Sequence, residues 1–178
     1  MRLGLVRHFQ IPHNRFQLVN GPGFDRWAEW YDTTDVSPRQ VPAAGEDWHL
    51  CLCSDLHRAH FTAKTIYRGS IEATPLLREV PFTTFMPRAL TLPLFMWQAT
   101  SRLGWYLNRA AQKENRRQTQ ERIEAFVPRL RREFPDRNVL IVTHGFFMQF
   151  LEKELQRAGF RGQVPMRPHG GTIYLFEG

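Results

Sequence analysis

Cysteine is almost missing: the 178 residues contain only Cys51 and Cys53. These two alternate in His-Leu-Cys-Leu-Cys, too close for an easy disulfide, so both are expected as buried thiols with no disulfide framework around them. Long hydrophobic runs are lacking too. The most apolar segment, Ala89 to Leu107, is interrupted by Pro93, Gln98, Ser101 and Arg102 before it reaches the roughly 20 residues that a membrane span needs. It is expected as a buried helix or a lid, within a helical cap over about 82–115. The alternative is a homodimer or membrane-surface contact through Trp97, Trp105 and Tyr106. The chain opens without the pattern of a signal peptide, and Met1 to Val6 goes straight into strand character, so a cytoplasmic protein is expected. No internal repeat or low-complexity tract is present.

What the chain does have is positive charge. Lys and Arg number 24 against 17 acidic residues, a formal net charge of +7, which favours anionic partners: phosphates, nucleic acid or acidic lipid. The basic residues Arg116, Arg117, Arg129, Arg131 and Arg132 fall in helical sequence. Without a nucleic-acid-binding motif they are read as a solvated helix face, so a nucleic-acid partner is not expected. A hydrophobic content of 42% suits one domain, residues 1–178, with a core of its own.

Apolar periodicity places the elements. A strand over Arg2 to Arg7 precedes a turn-rich stretch, then Phe24 to Tyr31 has helical spacing, with Trp27, Trp30 and Tyr31 on one face. A loop leads into a second strand, Asp47 to Ser54. A helix starts at once, with Ser54 or Asp55 as N-cap and Leu56, Ala59, Ala63 and Ile66 facing inward. Ile71 to Leu76 is a third candidate strand, interrupted by Pro75, and a long helical region follows in which Pro128 is expected to bend or split the helix. Val139 to Val142 is continuously apolar, as a strand covered on both faces should be. The next helix turns Phe147, Leu151 and Leu155 inward and stops at Gly159, and Thr172 to Glu177 reads as an edge strand. Strands alternating with helices predict an α/β fold with a mostly parallel sheet in one domain.

Three of these strands end in polar groups: Leu-Val-Arg7-His8, Cys-Ser-Asp-Leu-His-Arg58-Ala and Val-Thr-His144-Gly. In an open α/β sheet the carboxyl ends of strands border the binding crevice, so Arg7, His8, Arg58 and His144 are candidates to meet there. Two guanidiniums would bind phosphate oxygens in bidentate fashion, and a histidine beside them can attack phosphorus or donate a proton. His57 and His60 stand three apart on a helix, but no third ligand accompanies them and no metal site is expected.

Four blocks in order, Leu-Val-Arg-His with Asn14 downstream, Ser54 to Ala63, Leu-Leu-Arg-Glu79 and Val-Thr-His-Gly, resemble the histidine phosphatase superfamily, which includes the cofactor-dependent phosphoglycerate mutases. The resemblance implies a three-layer αβα sandwich and a phosphatase that hydrolyses a small phosphomonoester without metal or cofactor. It implies His8 as the nucleophile that becomes phosphohistidine, with Arg7, Arg58, His144 and Asn14 around the phosphoryl oxygens. It also implies Glu79 as proton donor to the leaving group. One departure is Phe9, which stands where the family has glycine. The glycine-rich stretch that often follows the acid is altered as well. The short chain leaves little room for the inserts of the mutases, which favours hydrolysis. Two further readings remain: a pseudophosphatase that binds a phosphorylated ligand without turnover, and a basic nucleic-acid-associated protein.

Overall fold

The computed structural model describes residues 1–37 and 48–178. Pro38 and Asp47, which belong to the expected loop and second strand, lie outside the described residues. The main sheet holds six strands in the order β4-β3-β6-β1-β8-β7: β1 (Arg2–Arg7), β3 (Leu50–Ser54), β4 (Ile71–Thr74), β6 (Val139–Thr143), β7 (Arg161–Gly162) and β8 (Ile173–Glu177). The first three pairings, β4 with β3, β3 with β6 and β6 with β1, are parallel, while β8 runs antiparallel to β1 and to β7. A separate two-stranded ribbon pairs β2 (Leu18–Val19) with β5 (Leu92–Pro93).

Strand alternation sorts the core onto two faces. Leu3 and Leu5 of β1, Leu50 and Leu52 of β3, and Val139 and Ile141 of β6 pack with α4 (Arg116–Glu133) and α5 (Gly145–Arg157). The opposite residues, Val6, Cys51, Cys53, Leu140 and Val142, pack with α2 (His57–Ile66). Because both faces are covered, the central strands can be apolar throughout, and β6 is buried along its whole length. This is the αβα sandwich the sequence predicts. Both cysteines are buried free thiols, and burial raises their pKa, that of Cys53 to about 11.

A third cluster joins α1 (Gly21–Thr33) to α3 (Leu94–Tyr106) through Phe24, Trp27, Leu94 and Trp97. The segment expected as a cap thus contains one helix whose Trp97 and Trp105 are buried and whose Leu103 and Tyr106 face out. Among the described residues no helix is long and apolar enough to cross a membrane.

Several local expectations need correction. Pro128 does not split α4, which runs unbroken from Arg116 to Glu133. Pro128 and Glu124 both lie on the exposed side, so the carbonyl that proline leaves unbonded can turn to water while Ile123, Phe126, Val127 and Leu130 keep their packing. The last strand is not an edge, because β7 pairs outside it. Helix α2 begins later than either expected cap, at His57, with Leu56 as an N-cap that makes no side-chain bond. Ser54 instead accepts the Leu56 N–H in the preceding turn (3.2 Å). Pro75 interrupts the third strand as expected: the strand stops at Thr74, and Pro75 starts a short 3-10 turn through Leu77. Trp30 does not share the buried face of Trp27 and is exposed. Gly159 ends α5 as expected, with φ +91° supplying the left-handed residue past the helix end.

Candidate active site

The parallel register pairs Arg7 with Thr143, so the residues that follow them, His8 and His144, leave the sheet side by side. The His8 N–H donates to the Thr143 carbonyl (2.9 Å), which extends the ladder by one bond and holds both exits together. The two imidazoles have centroids 5.0 Å apart at 57°. Both are buried, as is Arg58, which reaches them from the first turn of α2.

His8 has a defined tautomer. Its Nδ1 lies 2.5 Å from the Phe9 carbonyl, an oxygen that can only accept, so the proton sits on Nδ1 and Nε2 keeps its lone pair. Burial, and then the neighbouring Arg58 and Arg7 charges, hold its pKa well below the usual imidazole range. The lowered pKa favours the neutral ring, with Nε2 unprotonated.

His144 is fixed in the opposite sense. Arg58 donates from Nε to its Nδ1 (3.3 Å), so a neutral ring carries its proton on Nε2. Burial first, and Arg58 second, keep this pKa well below the ordinary value as well. Arg58 is itself aimed by Asp32, which accepts from Nη1 at 2.8 Å, and by the Tyr31 carbonyl at 3.2 Å, with the Tyr31 ring 4.9 Å from the guanidinium carbon. Arg7 donates from Nη1 to the Pro168 carbonyl (3.0 Å), while its Nε rests against Gly145, where a Cβ would approach to 3.1 Å. Four buried polar side-chain atoms find no hydrogen-bond partner among the described residues, and two of them, Arg7 Nε and His144 Nε2, are here. Buried donors left in this way cost stability unless a ligand accepts from them.

Glu79 follows the 3-10 turn and sits at the N-terminus of α5, the helix that His144 begins. Oε1 accepts from Val80 N (3.0 Å) and Phe147 N (3.1 Å), and Oε2 from Phe146 N (3.2 Å). The Arg102 guanidinium, 3.9 Å from Oε2, lies between the Phe82 and Phe146 rings and donates to the Val80 carbonyl (2.7 Å). Glu79 therefore caps α5, and Oε2 retains one lone pair where a proton can sit.

Asn14 is not drawn in with the others. It is exposed, its Oδ1 accepts from Phe16 N (3.0 Å), and it borders a separate cavity with His13, Arg26, Trp27 and Trp30. His57 pairs with Asp35 at 2.8 Å on the surface. Phe9 is buried in the core beside α2, its N–H donating to Thr62 Oγ1 (2.9 Å). Among the described residues Asn108 is the one non-glycine with positive φ, so Phe9 occupies backbone angles open to any residue. Tyr31, Asp32 and Arg102 escaped the sequence reading, because nothing in the local pattern links them to Arg58 or Glu79.

A family model for the histidine phosphatase superfamily (branch 1) matches residues 40–174. The chain belongs to this superfamily. The matched part includes Arg58, Glu79 and His144 and begins after Arg7 and His8, which the fold supplies to the same place. Solved superfamily-like folds agree over nearly the full length. The alpha-ribazole phosphatase from Shigella flexneri has 21% identity and TM-score 0.56, covering 98% of this chain and 94% of that one. A mycobacterial glucosyl-3-phosphoglycerate phosphatase has 20% identity and TM-score 0.54, covering 99% and 96%. The phosphoglycerate mutase from Bacillus anthracis has 18% identity and TM-score 0.56, covering 98% and 86%. At these identities the likeness is one of fold. No curated protein matches the sequence.

Proposed function

We propose that this histidine phosphatase superfamily member hydrolyses a small phosphomonoester through a phosphohistidine on His8. The observation that carries the reading is the pairing of a neutral His8, its Nε2 unprotonated, with the unpartnered donors Arg7 Nε and His144 Nε2. In phosphoryl transfer the charge spreads over the equatorial oxygens, so donors fixed before the reaction contribute most of the acceleration. Arg7, Arg58 and the Nε2–H of His144 take that role here. His8 Nε2 attacks phosphorus, and the ester oxygen leaves with a proton from Glu79 Oε2. Water then attacks the phosphohistidine, giving its proton to Glu79, and phosphate departs. Every group in this scheme is a side chain of the protein, so no metal ion or cofactor is required. Asn14 would join the phosphate contacts only if the segment carrying it moved inward.

Phe9 does not argue for a pseudophosphatase, since its ring lies in the core and its carbonyl is the group that orients His8. The test is a panel of phosphomonoesters assayed with chelator present, with His8→Ala as control. Hydrolysis that disappears in the variant is expected. Binding of phosphate or vanadate with no turnover of any ester would overturn the hydrolase reading.

A further inference from the structure

Arg7 and His8 line a cavity of about 600 Å³ whose wall also includes Arg167 and His169, together with Gln10 and Ser37. Neither Arg167 nor His169 belongs to any of the motifs above. The segment that bears them is built rather than loose. Its Pro165 carbonyl accepts from Gln149 Nε2 (3.0 Å), its Pro168 carbonyl from Arg7 Nη1 (3.0 Å), and the His169 N–H donates to the Tyr174 hydroxyl (2.8 Å). Just beyond, Gly171 N–H donates to the Arg7 carbonyl (2.9 Å). The wall is thus anchored on the same residue that borders the phosphoryl position. Arg167 is exposed, and among the described residues its guanidinium has no carboxylate or hydrogen-bond partner.

We propose that Arg167, with His169, forms a second anion subsite that selects phosphomonoesters bearing another anionic group, carboxylate or phosphate, on the leaving portion. This rests on the reading of His8 as the phosphoryl acceptor. A guanidinium at the cavity wall matches either anion through paired N–H donors, and a neutral leaving group would leave those donors in water. The imidazole of His169 adds a donor to the same group.

The test measures binding of phenylphosphonate, 3-carboxyphenylphosphonate and benzene-1,3-diphosphonate, none of which can be hydrolysed, to the wild type and to Arg167→Ala, alongside turnover of the corresponding phosphate esters. The expected result is about tenfold tighter binding of one or both doubly anionic probes, lost in Arg167→Ala while phenylphosphonate binds both proteins equally. The preferred probe tells carboxylate from phosphate. Equal affinity of all three probes, or a preference that survives Arg167→Ala, overturns the subsite while leaving the His8 mechanism standing. Selective binding without turnover of any ester keeps the subsite and overturns the hydrolase reading. Failure of all three to bind overturns the subsite, and together with no turnover of any ester it overturns the hydrolase reading as well.

Discussion

Arg58 donates from Nε to His144 Nδ1 across 3.3 Å, and this bond decides which nitrogen of His144 holds the proton. A lysine at 58 keeps the charge but not the planar fork that reaches His144 and Asp32 together. Arg58→Lys is therefore expected to lower kcat by about 10²–10³ with a smaller change in KM, the pattern for loss of a donor that acts in the transition state. Steady-state kinetics checks this, and an effect confined to KM would contradict it.

The two depressed imidazoles give stability a pH dependence. Their ordinary value is 6.5, and both lie well below it in the folded protein. Below 6.5 the unfolded chain takes up protons that the folded chain does not, so stability is complete above that pH and falls as pH drops toward the folded values. Each histidine contributes a slope of at most about 1.4 kcal/mol per pH unit in that window. Denaturant unfolding at pH 7.5, 6.5 and 5.5 should show the decline, and His144→Gln should flatten it.

Glu79 can be separated from a purely structural cap by its leaving groups. Its three backbone bonds predict that Glu79→Gln lowers stability, since one acceptor oxygen becomes a donor facing N–H groups. Its role as acid predicts more: alkyl phosphates, which need protonation, should lose about tenfold more kcat than p-nitrophenyl phosphate, which does not. An equal loss on both substrates would leave Glu79 as a cap alone.

Phe9 is 1% exposed and packs among Ile11, Cys53, Ala59 and Ala63. Restoring the family's glycine should empty that space and cost about 4 kcal/mol, with no gain in turnover of the folded enzyme. Thermal unfolding together with an assay well below the melting point distinguishes the two effects. Increased turnover would show that Phe9 impairs the site.

Pro128 offers a change in the other direction. It interrupts the hydrogen bonding of α4 on the exposed side, so Pro128→Ala should restore one backbone bond and raise stability by about 1–3 kcal/mol. Denaturant unfolding checks the sign.

The sheet was legible because its central strands carry their own signals: Val139 to Val142 is apolar on both faces, and Arg7, His8 and His144 break that pattern at strand ends. Parallel pairing then brings His8 to His144 as a consequence of register, which short motifs imply but do not display. Properties that depend on distant pairing were hidden. The edge position of β7 rests on two residues without strand character, and Asp32 gains its partner only when α1 packs beside α2. Arg102 looked like a break in an apolar run, yet two aromatic rings and Glu79 surround it. Asn14 shows the opposite case, a motif residue that the structure leaves at a neighbouring cavity.

The most direct measurement is a rapid alkaline quench of the enzyme with a ³²P-labelled phosphomonoester that it turns over, followed by peptide mapping. The account predicts base-stable, acid-labile label on the peptide containing His8, formed in the first turnover and absent from His8→Ala. Turnover that proceeds with no label on His8 at any time would contradict it.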